Sequence, residues 1–298
     1  MQNRILLVVV ICLSIILAVV SSRDTTFFDN QNMITVKDSL TEEIKELELE
    51  EYIVGVVAGE MPASFNEEAL KAQAVAARTY AAFKITTSTN DYDVVTDVTD
   101  QHYITNEEMK DLWGNDYDKY YSKIKEAVNE TKNQIMFYED KIVEAYYFAM
   151  SNGYTENCEE VFSQKRDYLQ SVASVYDNES INNFSMTKVL TKQEFLNKLS
   201  IQSNDIFLNN IKRSKTNRVL EITINNKTFL GTEVRNLLGL RSTDFTISIK
   251  DDEVQITTKG YGHGVGMSQY GANGMANVGF NYEEILKYYY QNIEIKTI

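Results

Sequence analysis

The sequence predicts an α+β fold in which an N-terminal pair of helices packs against β-rich lobes. Apolar residues recur at helical spacing between positions 40 and 83. Alternating, strand-like segments follow at 135–149 and recur in VLEITIN and FTISIKDDEVQITT. An apolar fraction of 43%, with 19 tyrosines and 13 phenylalanines, is typical of a chain that folds. The 298 residues are enough for one large domain or two ordinary ones.

Residues 1–22 are predicted to form a membrane anchor helix. The 16 residues from Ile5 to Val20 carry no charge and follow Arg4. This length lies between a signal-peptide core and a full membrane span. No clear A-x-A cleavage site follows, so an uncleaved signal anchor is favoured over a cleaved signal. The polar residues 23–40 are then a tether, and the region 41–298 is expected on the outer face of the cell membrane.

The charge and the cysteines exclude some classes of function. A net charge of -14 argues against nucleic acid as a partner, because such binding needs basic surfaces. An anionic polymer would have to be held by shape and hydrogen bonds. The two cysteines are Cys12, inside the predicted anchor, and Cys158, so no disulfide framework is expected. Cys158 is interpreted as a small buried hydrophobic residue, with a thiol nucleophile as the alternative.

Two helices are predicted on either side of Pro62, the only proline of the chain. The first covers 40–57 and has acidic residues in its first turns, where the helix dipole favours them. The second begins with Ser64 as N-cap and Glu67 completing a capping box, and continues through a stretch rich in alanine. Because proline cannot continue a helix, the chain breaks sharply there, with Glu60 at the break.

The middle of the chain changes character twice. Residues 91–103 are expected to be irregular or extended, and 115–132 to be helical. The alternation in 135–149 predicts strand. Residues 184–258 are expected to form a mainly β insertion, or a lobe that supplies the second wall of a site.

The C-terminal part is rich in glycine. Seven of the 13 glycines fall between 260 and 279. The segment GYGHGVGMSQYGA lacks the Gly-Lys-Ser/Thr ending of a phosphate loop. Its glycines around His263 indicate either backbone that approaches a ligand closely or tight internal packing. A last short helix, capped by Asn281, is predicted for 282–290.

Glu60 has the sequence setting of a general acid. Such a carboxyl group must keep its proton near neutral pH, and burial against apolar groups raises its pKa. Val56, Val57, Met61 and Phe65 are the neighbours that would supply apolar walls. The alternative is a surface glutamate near a helix end.

Five groups of motifs occur in the order found in one family. They are GEMPASF followed by KAQAVAARTYA, Gln101-x-Tyr103, SNGYTEN followed by YLQSV, Leu237-x-Gly239-Leu240-Arg241-Ser242, and GHGVGMSQYGA. Over roughly residues 45–298 the chain resembles the stage II sporulation protein D family. The resemblance implies a lytic transglycosylase that cleaves peptidoglycan glycan strands during engulfment of the forespore.

The resemblance also implies roles for single residues. Glu60 would be the catalytic acid and base, which protonates the glycosidic oxygen and then accepts a proton from the sugar's 6-hydroxyl group as a 1,6-anhydro ring closes. Arg78 is counted as important, yet it lies about 21 Å along a straight helix from Ser64. It is therefore expected to be a structural anchor or a contact to a distant subsite. The supporting or substrate-binding set is Arg78, Gln101, Tyr103, Ser151, Asn152, Tyr154, His263, Ser268 and Gln269.

Many relatives show a Cys-x4-His-Cys-Gln-x-Tyr segment that looks able to hold zinc. The corresponding residues 95–103 contain no cysteine, so neither a structural zinc nor another cofactor is expected. Whether Cys158 meets His102 in space stays open.

The implied partners are peptidoglycan glycan strands, a sporulation amidase and other membrane proteins of engulfment. The implied location is the mother-cell membrane, facing the forespore. Two alternatives to a transglycosylase remain: a non-catalytic wall-binding protein that enhances an amidase, and a cysteine-dependent hydrolase at Cys158.

Overall fold

The computed structural model of the protein describes residues 32–97 and 99–298. The predicted anchor at 1–22 lies outside the described residues, as does part of the predicted tether at 23–40. Within the described part, no helix is long and apolar enough to cross a bilayer. Helices alternate with several small sheets, which confirms the predicted α+β class.

The elements fall into an N-terminal and a C-terminal series. The first series is β1 (Met33–Lys37), β2 (Ile44–Glu48), α1 (Leu49–Glu60), α2 (Glu67–Thr87), β3 (Val94–Val95), α3 (Asn106–Trp113), α4 (Tyr117–Glu130), β4 (Gln134–Tyr138), β5 (Lys141–Ile142), β6 (Tyr147–Phe148) and α5 (Cys158–Phe162). The second series is β7 (Ser185–Thr191), α6 (Lys192–Lys198), β8 (Leu208–Arg213), β9 (Val219–Ile224), β10 (Lys227–Leu230), α7 (Gly231–Leu238), β11 (Phe245–Lys250), β12 (Glu253–Lys259), β13 (Met267–Ser268), α8 (Gln269–Asn277), α9 (Tyr282–Tyr289) and β14 (Glu294–Thr297).

The first predicted helix is partly wrong. Helix begins only at Leu49, and Ile44–Glu48 forms a strand that pairs antiparallel with β1. Ile34 and Val36 of β1 are buried in the core, whereas Ile44 is exposed. The apolar spacing at 40–48 therefore imitates a helix, and pairing with a distant strand overrides that local pattern.

The break at Pro62 is confirmed, but the predicted cap is wrong. α1 ends at Glu60 and α2 starts at Glu67. The N-cap of α2 is Asn66, whose side chain accepts a hydrogen bond from the Glu68 backbone N–H at 3.0 Å. The Asn66 N–H in turn donates to Asn273 Oδ1 at 2.8 Å. This contact comes from the far end of the chain, so local sequence could not reveal it.

Helix α2 is the centre of the larger hydrophobic cluster. Its small alanines allow α1, α4, α8, α9 and β4 to pack closely around it. The fully buried Arg78 donates to both carboxylate oxygens of Glu50 on α1, at 2.8 and 2.7 Å. It also donates to the Val128 carbonyl of α4 at 3.2 Å. Arg78 is thus a structural anchor; its complete burial rules out the expected alternative of a contact to a glycan subsite.

A second hydrophobic cluster lies within the segment 184–258. It is formed by the sheets β11-β12-β7 and β10-β9-β8 together with the short helices α6 and α7. The segment is mainly strand, and its two helices were not predicted. The Thr191 side chain and Glu194 form a capping box at the start of α6.

The C-terminal residues return to the first cluster. β13 pairs with β6, and β14 pairs with β4. The predicted last helix is confirmed, since Asn281 caps α9. Helix α8, inside the glycine-rich segment, was missed. Its Gly271 is required by close packing, because a Cβ there would lie 2.1 Å from the Tyr289 hydroxyl.

Candidate active site

Glu60 is held at the C-terminal end of α1 by two long-range hydrogen bonds. Its Oε1 accepts from the His102 backbone N–H at 2.8 Å, and its Oε2 accepts from Gln269 Nε2 at 3.3 Å. Gln269 also donates to the buried Gln73 of α2 at 3.4 Å. The half-buried carboxyl group is therefore fixed between a loop, the core helix and the start of α8.

Two glycines of α1 allow the loop to reach Glu60. A Cβ on Gly59 would lie 2.5 Å from the His102 carbonyl oxygen, and a Cβ on Gly55 would lie 2.2 Å from the Tyr103 ring. The Ile104 N–H donates to the Gly55 carbonyl at 3.3 Å. Because the two glycines are four residues apart, they lie on one face of the helix, and residues 102–104 lie directly against that face.

Burial raises the pKa of Glu60 above its ordinary range, and the hydrogen bonds from His102 and Gln269 act in the opposite direction. Of the walls predicted for it, Val56 and Val57 are part of the buried core, and Met61 lines the cavity beside the carboxyl group. Phe65 packs edge-to-face on Tyr270, with ring centroids 5.0 Å apart. The protonated form is thus favoured more than in an exposed glutamate.

The carboxyl group lines a cavity of about 400 Å³. One wall comes from Gly59–Ala63 at the end of α1, and the facing wall includes Gln269 and Tyr270 from the start of α8. The cleft predicted between the Glu60 turn and the glycine-rich segment is therefore present. Larger cavities of about 580 and 510 Å³ lie beside β8 and beside the β4–β5 hairpin, and Glu60 lines neither.

Gln101 and Tyr103 were expected to contact substrate. Their side chains instead contact tyrosines of the protein and hold the loop that contains them in place. Gln101 is fully buried; it accepts from the Tyr52 hydroxyl at 3.2 Å and donates to the Tyr147 hydroxyl at 2.8 Å. Tyr103 stacks on Tyr52 with ring centroids 5.5 Å apart. Burial prevents Gln101 from orienting a sugar, so that part of the prediction is wrong. Both residues position the segment that carries the His102 N–H.

Ser151 of the polar turn after β6 and Ser268 of the glycine-rich segment also lie inside the protein. Ser151 and Ser268 are fully buried, and the Ser151 N–H donates to Oδ2 of Asp177, a buried carboxyl group that the sequence analysis missed, at 3.2 Å. Asn152 Nδ2 donates to the Thr216 carbonyl and to Asp244 Oδ2, at 2.7 and 2.8 Å. Ser151 and Asn152 thus connect parts of the protein, whereas Ser268 caps α8, its Oγ accepting from the Gly271 N–H at 3.2 Å.

Tyr154 and His263 do not line the Glu60 cavity either. The Tyr154 ring is half exposed, and its backbone pairs with Ala173. His263 Nδ1 accepts from the Val265 N–H at 3.1 Å, and the opposite ring nitrogen lies 3.0 Å from the Tyr147 carbonyl. Burial, with Arg235 nearby, lowers the pKa of His263 to about 3. The imidazole is therefore neutral and structural.

Cys158 and His102 have different surroundings. Cys158 is buried at the start of α5, and burial raises the pKa of its thiol to about 11. A nucleophilic cysteine needs the opposite shift, so this thiol does not fit a hydrolase. His102 is exposed beside Glu60. Across 32–97 and 99–298, no group of three or more His, Cys, Asp or Glu residues is placed to hold a metal ion.

Several residues of the cavity were not foreseen as site residues. They are Leu112, Trp113, Asn182, Asn183, Arg241, Tyr261 and Tyr270. Trp113 is the only tryptophan of the chain, and that rarity was an available signal. Arg241 lies within the motif at 237–242, but nothing in its local sequence shows that it lines the same cavity as Glu60.

Comparison with known proteins places the chain among sporulation proteins. Residues 37–138 match the family model described as stage II sporulation protein, and residues 107–266 match a domain of unknown function. Stage II sporulation protein D of Bacillus subtilis (strain 168) is 40% identical over 269 residues, which cover 88% of this chain and 78% of that protein. Its counterpart from Bacillus amyloliquefaciens is 40% identical over 259 residues, or 85% and 75% of the two chains. The amidase enhancer of Bacillus subtilis (strain 168) is 29% identical over 79% of this chain and 39% of its own length.

Proposed function

Because the chain belongs to the family of stage II sporulation protein D, we propose that it is a peptidoglycan lytic transglycosylase with Glu60 as its catalytic acid and base. The observation that carries this proposal is a single carboxyl group with a raised pKa, held by two hydrogen bonds in the wall of a cavity. A general acid that serves near neutral pH requires this combination.

In the first step Glu60 donates its proton to the glycosidic oxygen between N-acetylmuramic acid and N-acetylglucosamine. The bond from that oxygen to C1 of the muramic acid breaks, and positive charge develops on the ring. Glu60 becomes a carboxylate, which the His102 and Gln269 N–H groups stabilise. The same hydrogen bonds that oppose protonation at rest therefore favour the products of this step.

In the second step the carboxylate accepts the proton of the muramic acid 6-hydroxyl group while that oxygen bonds to C1. A 1,6-anhydro ring forms, Glu60 regains its proton, and no water is consumed. The attacking group belongs to the substrate, so its proximity supplies much of the rate advantage.

The number of acidic groups in the cavity supports this route over ordinary hydrolysis. Glycoside hydrolases use two carboxyl groups, one as acid and one as nucleophile or base. Among the described residues that line the cavity, Glu60 is the only acidic one. An intramolecular nucleophile removes the need for the second.

The aromatic side chains of the cavity suit a glycan. Trp113, Tyr261 and Tyr270 offer rings that can cover the apolar faces of sugars, while their polar atoms face the hydroxyl groups. Asn182 and Asn183 add amide groups to the same wall. A strand would lie between Trp113 on one side and Tyr261 on the other, with the scissile bond at Glu60.

The cellular setting belongs to the same proposal. The protein acts at the mother-cell membrane, facing the forespore, during engulfment. It works on glycan strands together with an amidase that removes stem peptides and with other membrane proteins. The similarity to a protein named amidase enhancer supports the link to an amidase.

That similarity also favours a second candidate, a wall-binding protein that stimulates an amidase without cutting glycan. Likeness of fold and motif does not by itself establish turnover. The cavity would then hold a glycan strand and present it to the partner. The two candidates differ in whether Glu60 transfers a proton.

Replacing Glu60 with glutamine decides between them. Glu60→Gln keeps the shape of the side chain and removes its proton, so glycan cleavage is expected to fall by about 10²- to 10⁴-fold. The assay digests purified glycan strands and measures 1,6-anhydro-muramic acid ends by mass spectrometry. Glu67→Gln, the same change on the exposed first turn of α2, is the matched control and should keep full activity. Wild-type protein that releases no anhydro products yet binds wall and stimulates an amidase would establish the second candidate.

A further inference from the structure

Asp100 ties the loop that carries the His102 N–H to helix α2. Its side chain is only 6% exposed. Oδ1 accepts a hydrogen bond from the Tyr80 hydroxyl at 2.8 Å and forms an ion pair with Lys84 Nζ at 2.7 Å. Oδ2 accepts from the Val95 backbone N–H at 2.9 Å. Both carboxylate oxygens therefore have partners, and one of them joins the loop to the core helix.

The loop is attached to one face of α2. Next to the two contacts of Asp100, Gln101 Nε2 donates to the Ala77 carbonyl at 3.2 Å. The residues of α2 that take part are Ala77, Tyr80 and Lys84. They are three and four positions apart, which places them along one side of the helix. Because residues 102–104 lie against α1, the loop is held by both helices.

Asp100 can affect Glu60 only through the loop. It does not line the cavity, and the group that bonds Glu60 is the backbone N–H two residues further on. A backbone N–H is fixed in the plane of its peptide bond and has no side-chain torsion with which to adjust. The direction in which the His102 N–H points therefore depends on what holds residues 100 and 101.

The contacts of Asp100 are the strongest of those that hold the loop. Within 95–97 and 99–103, its pair with Lys84 is the one ion pair. Hydrogen bonds to an ionised group are roughly twice as strong as bonds between neutral groups, such as those of Gln101. The Tyr80 phenol stays protonated and able to donate, because burial and the charge of Asp100 both raise its pKa.

We propose that Asp100 is a positioning residue for Glu60, which holds the loop so that the His102 N–H points at the Glu60 carboxyl group. The effect on glycan cleavage rests on the proposed function. The effect on the proton affinity of Glu60 does not, since it follows from the hydrogen bond alone.

Asp100→Asn separates this role from a direct effect of charge. The change keeps the shape of the side chain and removes its negative charge. Acting only as a charge, Asp100 would make the Glu60 carboxylate harder to form, so its loss would lower the pKa of Glu60. Acting through the loop, its loss weakens the His102 hydrogen bond, which itself lowers that pKa, so the pKa would rise. The two roles predict shifts of opposite sign.

The test measures the pKa of Glu60 directly. Full-length protein with ¹³C-labelled glutamate carboxyl groups is titrated by NMR, and the Glu60 resonance is identified by its loss in Glu60→Gln. In Asp100→Asn we expect the acid dissociation constant of Glu60 to fall by roughly 3- to 10-fold, as for a weakened hydrogen bond to a charged group. The falling limb of kcat/KM for glycan cleavage should move to higher pH, with kcat reduced and KM nearly unchanged.

Asp140→Asn is the matched control. Asp140 forms an ion pair of similar length with Lys296, at 2.8 Å, on an exposed turn away from the cavity. Loss of that pair should leave the pKa of Glu60 where it is. A lowered or unchanged pKa of Glu60 in Asp100→Asn would overturn the positioning role.

Tyr80→Phe covers the case in which Asp100→Asn does not fold. It removes one hydrogen bond to Asp100 without changing any charge, and phenylalanine fills nearly the same space. We expect a smaller rise in the pKa of Glu60. An unchanged pKa in this variant would also overturn the inference. Wild-type protein that cleaves no glycan would contradict the proposed function, while the pKa measurement would still decide the role of Asp100.

Discussion

At Glu60, burial and hydrogen bonding act on the same carboxyl group in opposite directions. Desolvation raises its pKa, while the His102 and Gln269 N–H groups lower it. A group that must first give and then take a proton benefits from both, because burial favours the protonated form and the hydrogen bonds favour the carboxylate. The balance depends on single contacts and can be shifted by one substitution.

Gln269→Leu should move the pH dependence of glycan cleavage. The Gln269 hydrogen bond lowers the pKa of Glu60, so its removal lets the pKa rise further. The protonated form starts the reaction, and kcat/KM therefore falls as pH rises through that pKa. We expect the falling limb to lie at higher pH in the variant, with a lower maximal rate. Profiles of kcat/KM for Gln269→Leu, and for Gln193→Leu on the exposed face of α6 as control, measure this. A limb that stays in place or moves to lower pH contradicts the assignment.

At the level of elements, the end of α1 and the segment 102–104 form one unit. Gly55 and Gly59 let that segment lie on the helix, and the segment carries the N–H that holds Glu60. The usual cost of glycine inside a helix is about 1 kcal/mol relative to alanine. Position 59 is nevertheless glycine, because a side chain there would collide with His102.

Gly59→Ala is expected to destabilise the protein although alanine is the better helix former. The new Cβ would lie 2.5 Å from the His102 carbonyl oxygen, a backbone atom that must then shift. Overpacking of this kind costs roughly 1–3 kcal/mol. Glycan cleavage should fall with it, because the His102 N–H moves away from Glu60. Thermal denaturation and the cleavage assay measure both effects. A gain in stability would show that the two segments are not in contact.

Local signals allowed part of these elements to be predicted. Pro62 marked the end of α1, and Asn281 marked the start of α9, because both signals act within a few residues. The strand β2, the Asn66 cap and α8 depend on β1, on Asn273 and on close packing against Tyr289. Contacts between distant residues leave no local pattern.

The difference between local signals and long-range contacts also decides which residues of the site could be predicted. Glu60 and Gln269 were predicted and lie within hydrogen-bond distance. Ser151 and Ser268 carry the same polar chemistry but are buried, and residue type alone does not reveal burial. Trp113 and Arg241 were not assigned to the cleft, because their positions follow from the packing of segments far apart in the chain.

At the scale of the whole molecule, polar side chains join the two hydrophobic clusters. Asn152 donates to the Thr216 carbonyl and to Asp244, and Glu156 accepts from Ser214 and Thr216. These contacts connect the turn after β6 with the strands of the second cluster.

Asn152→Asp tests this junction through its dependence on pH. The change replaces a donor with a carboxylate opposite Asp244, so both like charges and a lost hydrogen bond act against folding. At neutral pH we expect a loss of about 1–3 kcal/mol, or roughly 2–4 °C in Tm for each kcal/mol. Protonation of one carboxyl group in acid should remove much of the loss. Asn115→Asp, at an exposed position, serves as control. An equal loss at neutral and acid pH would mean that the two carboxyl groups do not meet.

The separation of Glu60 from Gln269 by 209 positions has a consequence for timing. Synthesis delivers the N-terminal residues first, so the acid emerges long before its counterpart on α8 exists. A nascent or truncated polypeptide contains only part of the cavity lining and, under the proposed function, would not bind a glycan strand. If the chain cleaves glycan as proposed, it would be inactive until its last helices have docked, and no inhibitor would be needed to keep it so.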